Sequence, residues 1–125
     1  ESIKEFHPNT PLAFTKELRE RNLGILQGQK SASVDWDGLP GSGDHKKPEN
    51  GESLAELKIR AVDFIRRLYE QHPTDNILLV SHNGWIKQII SHFTDIHSKD
   101  ITKVENAQII EIDVSGDLKG IVVEL

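Results

Sequence analysis

An unbroken apolar run, Ile77-Leu78-Leu79-Val80, lies between two stretches of helical periodicity, and this arrangement constrains the fold more than any other feature of the chain. Upstream, Leu54, Leu57, Ala61, Phe64, Ile65 and Leu68 recur at three-and-four spacing and line one face of a helix. Its start is marked by Ser53-Leu54-Ala55-Glu56, a capping box in which hydroxyl and carboxylate satisfy opposite orphan amides; Pro73 stops it just after Gln71. Downstream, Trp85, Ile86, Ile89, Ile90 and Phe93 again share one face. A run without polar alternation is the pattern of a strand covered on both sides. The spacing therefore predicts helix, buried strand over Asn76 to Val80, tight turn, helix: an α/β unit.

The flanks are simpler. Residues 1–13 carry Pro8 and Pro11 and little periodicity, which predicts an irregular lead-in. Residues 29–51 hold Gly38, Pro40, Gly41, Gly43, Pro48 and Gly51 and no apolar repeat, which predicts a long, lid-like surface loop, in which His45-Lys46-Lys47 reads as a mobile basic tip rather than as a contact to an anionic substrate. Ile109, Ile110, Ile112 and Val114, then Ser115-Gly116-Asp117, then Ile121, Val122 and Val123 predict two strands around a turn.

Composition excludes several function classes. At 125 residues, 36% hydrophobic and 28% charged, the chain is one globular domain's worth. No apolar run approaches the roughly twenty residues a spanning helix needs, so no membrane partner is expected. A net charge of −5 opposes binding to a polyanion, so no nucleic-acid partner is expected either. There is no Cys, hence no disulfide, thiolate nucleophile or thiolate metal site. There is also no Met, and the chain opens at Glu1, so the expectation is a polypeptide that continues upstream and carries any targeting signal there. A cytoplasmic location is the default expectation.

Candidate chemistry sits at two places. A strand ending at Ser81 and turning at once into a helix puts His82 at the carboxyl end of the sheet, where α/β folds place ligands. The amides and positive dipole end of the following helix aim at the same spot, and phosphate is the natural guest. The competing reading is a core histidine bonding a carbonyl in the turn. The other place is Glu17-Leu18-Arg19-Glu20-Arg21. This cluster reads either as a solvated helical turn with internal ion pairs or as a carboxylic acid, Glu20, that protonates a leaving oxygen while Arg21 holds a phosphoryl group with its planar fork. Metal chemistry finds no support. The six His residues show no pair at ligand spacing, and Asp35-Trp36-Asp37-Gly38 places Leu39 where a calcium loop needs an oxygen. A Ser-His-Asp hydrolase also fits poorly, since Ser81 adjoins His82 in sequence and sits on no Gly-x-Ser-x-Gly elbow.

Three blocks in order resemble one family. Leu18-Arg19-Glu20-Arg21-Asn22-Leu23-Gly24-Ile25-Leu26-Gln27-Gly28, then Gly51-Glu52-Ser53 with Arg60 in the helix after it, then Leu78-Leu79-Val80-Ser81-His82-Asn83-Gly84 are similar to the phosphoglycerate-mutase-like branch of the histidine phosphatase superfamily. The closing Asn106-Ala107-Gln108-Ile109-Ile110 resembles that family's last core strand. The resemblance implies a three-layer α/β/α sheet whose N-terminal strand or strands are missing from this chain, which makes residues 1–125 the C-terminal part of a single domain. It implies Glu20 as acid/base catalyst, His82 as the second pocket histidine, and Arg21, Asn83 and Gly84 as substrate contacts, with no metal and no cofactor. Asn83 stands where the family commonly has glycine; a positive φ there would suit Asn better than other L-residues. The nucleophile of the family lies in an Arg-His-Gly segment on the first strand, and no Arg-His-Gly occurs here.

The expectation is therefore a phosphatase of the phosphohistidine type acting on a small phosphorylated metabolite, with residues 1–125 alone inactive or nearly so. The compact segment between Gly28 and Gly51 favours phosphatase over mutase. The alternatives are a phosphoglycerate-type mutase or a non-catalytic interaction domain with a phosphatase-like fold. The expected partners, besides the substrate, are the missing N-terminal segment or a second copy of the chain, either of which would cover the strand over Asn76 to Val80.

Overall fold

The computed structural model describes residues 3–101, 104, 105, 108–114 and 120–124. One helical turn, α1 (Ile3–Phe6), opens the chain where an irregular lead-in is expected; Pro8 and Pro11 both lie beyond it, and the segment after it is irregular. A 3₁₀ turn at Lys16–Leu18 is capped by Thr15, whose hydroxyl accepts the Glu17 amide at 3.2 Å.

Helix α2 (Leu54–Gln71) has the predicted bounds and the predicted cap. The Glu56 amide donates to Ser53 Oγ at 3.0 Å, and the Ser53 amide donates to Glu56 Oε2 at 3.1 Å. Helix α3 (Asn83–Thr94) begins on His82 as its N-cap and ends on Asp95 in the left-handed conformation. The two helices pack through the faces their spacing predicts. Leu57, Ala61, Trp85 and Ile89 form the buried core, with Leu18, Phe64, Ile65, Leu79 and Ile86 against it. Phe64 meets the Trp85 ring edge-on at 6.3 Å, a favoured aromatic arrangement.

Strands β1 (Ile110–Val114) and β2 (Gly120–Glu124) pair antiparallel, with Ile110 opposite Glu124 and Val114 opposite Gly120. Exposed Glu111 and Asp113 alternate with half-buried Ile110, Ile112 and Val114, and Ile112 reaches the helical core. The turn expected at Ser115-Gly116-Asp117 and the Asn106-Ala107 pair of the closing block lie outside the described residues.

One element departs from expectation. Residues 76–80 form no strand, and Ile77, Leu78 and Val80 are 43%, 63% and 68% exposed; only Leu79 turns to the core. A strand exists only through ladder hydrogen bonds to a neighbour, and among the described residues none flanks this segment. The three-layer sheet is accordingly not assembled within them. The segment 29–51 contains two 3₁₀ turns, Ser31–Ser33 and Gly43–His45, and neither α-helix nor strand. Its basic tip is not loose. Lys46 Nζ donates to the Asp37 carbonyl at 2.9 Å, Lys47 Nζ pairs with Glu56 at 2.8 Å, and Asp44 meets His97 Nε2 at 2.9 Å.

Candidate active site

Past Leu18 the chain leaves its 3₁₀ turn, so the carbonyls of residues 17–20 have no local backbone donors and must be satisfied from elsewhere. Three side chains do so. Glu17 O accepts from Arg60 Nη1 at 2.7 Å and from the Trp85 indole at 2.9 Å. Leu18 O accepts from the Ser81 hydroxyl at 2.7 Å. Arg19 O and Glu20 O accept from Arg60 at 3.0 and 3.4 Å. The irregular strip is thereby fastened to α2 on one side and to the start of α3 on the other. The solvated helical turn with internal ion pairs is not what forms, since the Glu17 carboxylate meets Arg67 of α2 instead, at 3.3 Å.

This fastening puts Glu20 at the N-terminus of α3. The first amides of a helix have no intrahelical partner and carry its positive dipole end. Glu20 Oε2 accepts the Gly84 amide at 3.0 Å, and Oε1 accepts the Arg21 amide at 2.9 Å. Glycine at position 84 leaves room for this, because a Cβ there would stand 2.5 Å from Oε1 and the carboxylate would have to shift. The helix end does hold an anion, as its polarity requires, but at the Gly84 amide that anion is a carboxylate of the chain itself.

His82 caps α3 with extended backbone and no side-chain cap bond. It is exposed, and among the described residues its ring makes no hydrogen bond, which corrects the reading of a core histidine tied to a carbonyl. Asn83 is the first helical residue; its φ is not positive, and its side-chain amide donates to Val104 O at 3.3 Å. The positive φ considered at this position is therefore not needed.

Arg21 faces the loop rather than open solvent. Its Nε donates to Glu52 O at 2.7 Å, Nη2 donates to Lys46 O at 3.2 Å, and the guanidinium lies 6.0 Å from the Trp36 ring centroid, within cation–π range. Burial lowers its pKa, opposed by the nearby Glu52, Glu20 and Glu56 carboxylates.

Sequence reasoning assigned no role to the residues that hold this arrangement, Arg60 and Glu52. Their side chains are 10% and 13% exposed and joined by two bonds of 2.9 Å. Burial pushes the Glu52 carboxyl up, but hydrogen bonds from Arg60 and the Asn22 amide, with the charges of Arg60 and Arg19, outweigh it and hold the group below the usual carboxylate range. The signal that could have found them is spacing: an acid just ahead of the Ser53 cap, and an arginine two helical turns on. A separate cleft of about 520 Å³, lined by Asp44, His45, Lys58, Asp63, Arg66 and His92 among others, includes none of Glu20, Arg21, His82, Asn83 or Gly84. That cleft is separate from the convergent chemistry, and the chemistry defines the candidate site.

Comparisons with known proteins agree with the motifs. The profile of the family described as "Histidine phosphatase superfamily (branch 1)" matches residues 1–123. Over 108 residues the chain is 28% identical to a 2,3-bisphosphoglycerate-dependent phosphoglycerate mutase of Methanosarcina mazei, covering 75% of this chain and 42% of that protein. It is 26% identical over 89 residues to a metal-independent phosphoserine phosphatase of Arabidopsis thaliana, covering 66% and 37%. Among solved structures, Mycobacterial hydrolase 1 matches with a TM-score of 0.65 at 20% identity, over 87% of this chain and 62% of that one, which shows a shared fold. The chain spans 35 to 51% of the length of the curated relatives it matches.

Proposed function

The chain belongs to the histidine phosphatase superfamily, branch 1, and from that premise we propose that the whole protein is a phosphatase acting on a small phosphorylated metabolite through a phosphohistidine. One observation carries the reading: the Glu20 carboxylate reaches the N-terminus of α3 through the Gly84 amide, 64 residues away in sequence, and the exposed His82 is the N-cap of that same helix. In the reaction, a histidine nitrogen supplied from outside residues 1–125 attacks phosphorus and the bond to the leaving oxygen breaks. Glu20, entering as the acid, gives that oxygen its proton. Water then attacks the phosphohistidine, Glu20 takes the water's proton, and phosphate and free histidine result. His82 stabilises charge on the transferring phosphoryl group, Arg21 steadies its oxygens, and the turn of Asn83 and Gly84 holds the Glu20 carboxyl beside them.

The same proposal extends to the fold. The apolar segment 76–80 becomes an inner strand of a three-layer α/β/α sheet when a strand from upstream in the polypeptide, or from a second copy, lies against it. Its exposure and the greater length of the relatives support this reading.

A mutase reading is favoured by the names of several relatives. The compact segment between Gly28 and Gly51, with two 3₁₀ turns and neither α-helix nor strand in residues 29–51, supports the phosphatase. The test uses the full-length protein. Glu20→Gln and His82→Ala are each expected to lower turnover of a phosphomonoester by at least about a hundred-fold, as for loss of a general acid or of charge stabilisation. Turnover at the wild-type level in either variant removes that residue from the mechanism. Isomerisation of phosphoglycerate in the presence of 2,3-bisphosphoglycerate, without release of phosphate, replaces phosphatase by mutase. No turnover of any phosphomonoester leaves the interaction domain.

A further inference from the structure

Arg60 and Glu52 stand apart from the other ion pairs. Lys47–Glu56, Arg66–Asp63 and Arg67–Glu17 are 36 to 56% exposed, whereas Arg60 and Glu52 are nearly covered. A covered ion pair loses hydration that its mutual attraction barely offsets, and apolar residues in its place are often as stable. Stability alone therefore does not account for it. Its geometry does.

All five N–H groups of the Arg60 guanidinium are engaged: Nε and one Nη2 hydrogen on the two Glu52 oxygens, Nη1 on the carbonyls of Glu17 and Arg19, and the remaining Nη2 hydrogen on that of Glu20. Glu52 holds the far side of the same strip. Its Oε1 accepts the Asn22 amide at 3.2 Å, its own amide donates to Asn22 O at 2.7 Å, and its carbonyl accepts from Arg21 Nε at 2.7 Å. The backbone on both sides of Glu20 is thus set by one pair, and Glu20 itself spans to the Gly84 amide.

We propose that the Glu52–Arg60 pair is the positioning element of the site: it fixes the strip of residues 17–22 so that the Glu20 carboxyl stands at the N-terminus of α3, where proton transfer is required. This rests on the reading of Glu20 as the acid. Lysine cannot replace Arg60, because one ammonium offers three donors from a single point and no planar fork.

The experiment compares two probes in the full-length protein: p-nitrophenyl phosphate, whose leaving group is stable as an anion, and β-glycerophosphate, whose alkoxide must be protonated as it leaves. If Arg60 positions the acid, Arg60→Lys lowers kcat on β-glycerophosphate at least about ten-fold more than on p-nitrophenyl phosphate, with KM nearly unchanged, the pattern expected of Glu20→Gln. The Gly84 amide resonance in a ¹⁵N–¹H spectrum shifts in Arg60→Lys as it does in Glu20→Gln. Glu52→Gln, which keeps the shape and loses the charge, shows the same two changes in weaker form and serves if Arg60→Lys does not fold. Arg66→Lys, on the exposed face of the same helix, alters neither. Equal loss on both phosphates with an unmoved Gly84 amide overturns the proposal. A shifted amide with equal losses keeps the positioning but removes Glu20 as the acid, so failure of the functional reading and failure of the positioning are told apart.

Discussion

At Gly84 two residue-scale effects oppose each other. A glycine in a helix costs up to about 1 kcal/mol relative to alanine. Here the missing Cβ admits the Glu20 carboxylate, and a hydrogen bond from an amide to a charged acceptor contributes about 1.5–3 kcal/mol. The second effect is the larger. Gly84→Ala is therefore expected to destabilise the protein by about 0.5–2 kcal/mol, yet to be neutral or stabilising in a Glu20→Ala background, where nothing is expelled. Urea denaturation of the two single variants and the double variant measures that coupling; equal effects of Gly84→Ala in both backgrounds would show that the carboxylate does not depend on the gap. Glu20 and His82 are legible in the sequence as candidates because their neighbours form recognisable blocks. Glu52 and Arg60 stand in the second of those blocks, but no role for them is legible there. The meaning of the pair lies in backbone carbonyls of residues 17–20, and which carbonyls lack donors is a property of the folded chain.

The two long helices are legible because their evidence is local. The Ser53 cap and the three-and-four spacing of Leu57, Ala61 and Phe64 are complete within α2, and so are Trp85 and Ile89 within α3. The strand over Asn76 to Val80 is not legible in this way: apolar residues show that a segment wants covering, while pairing depends on a neighbour that the segment's own residues do not specify. Within α2 the cap also lets magnitudes be ranked. Ser53 is 2% exposed and its hydroxyl accepts the Glu56 amide, so Ser53→Ala is expected to cost about 1 kcal/mol. The Lys47–Glu56 ion pair at the same helix start is half exposed on both sides, so Lys47→Ala is expected to cost less than about 0.5 kcal/mol. Thermal or urea melts of the two variants check the order; a larger loss from Lys47→Ala would mean that the loop tip, rather than the cap, sets the start of α2.

For the whole molecule, the decisive feature is what residues 76–80 leave uncovered. Ile77, Leu78 and Val80 present apolar side chains to water, and a short segment of this kind has both faces apolar, so no rotation hides one at the expense of the other. Each well-buried side chain of this size contributes about 1.5–3 kcal/mol, so covering the segment is worth several kcal/mol, comparable to the net stability of a small domain. Its backbone adds a second drive, since amides and carbonyls without ladder partners are a template for another strand. Against this, association costs on the order of 4–15 kcal/mol in lost freedom, which a strand from the same polypeptide largely avoids. A second copy of residues 1–125 must meet that cost, and it brings the same exposed segment to bury in return. Residues 1–125 purified alone are therefore expected to self-associate at micromolar concentration and, on the proposed fold, to become monomeric and melt more cooperatively when a strand that pairs with this segment is supplied in the same polypeptide or in trans. Analytical ultracentrifugation of the two preparations measures this, and a compact monomer of the isolated chain with a single sharp melting transition would show that the segment folds back under cover of its own domain.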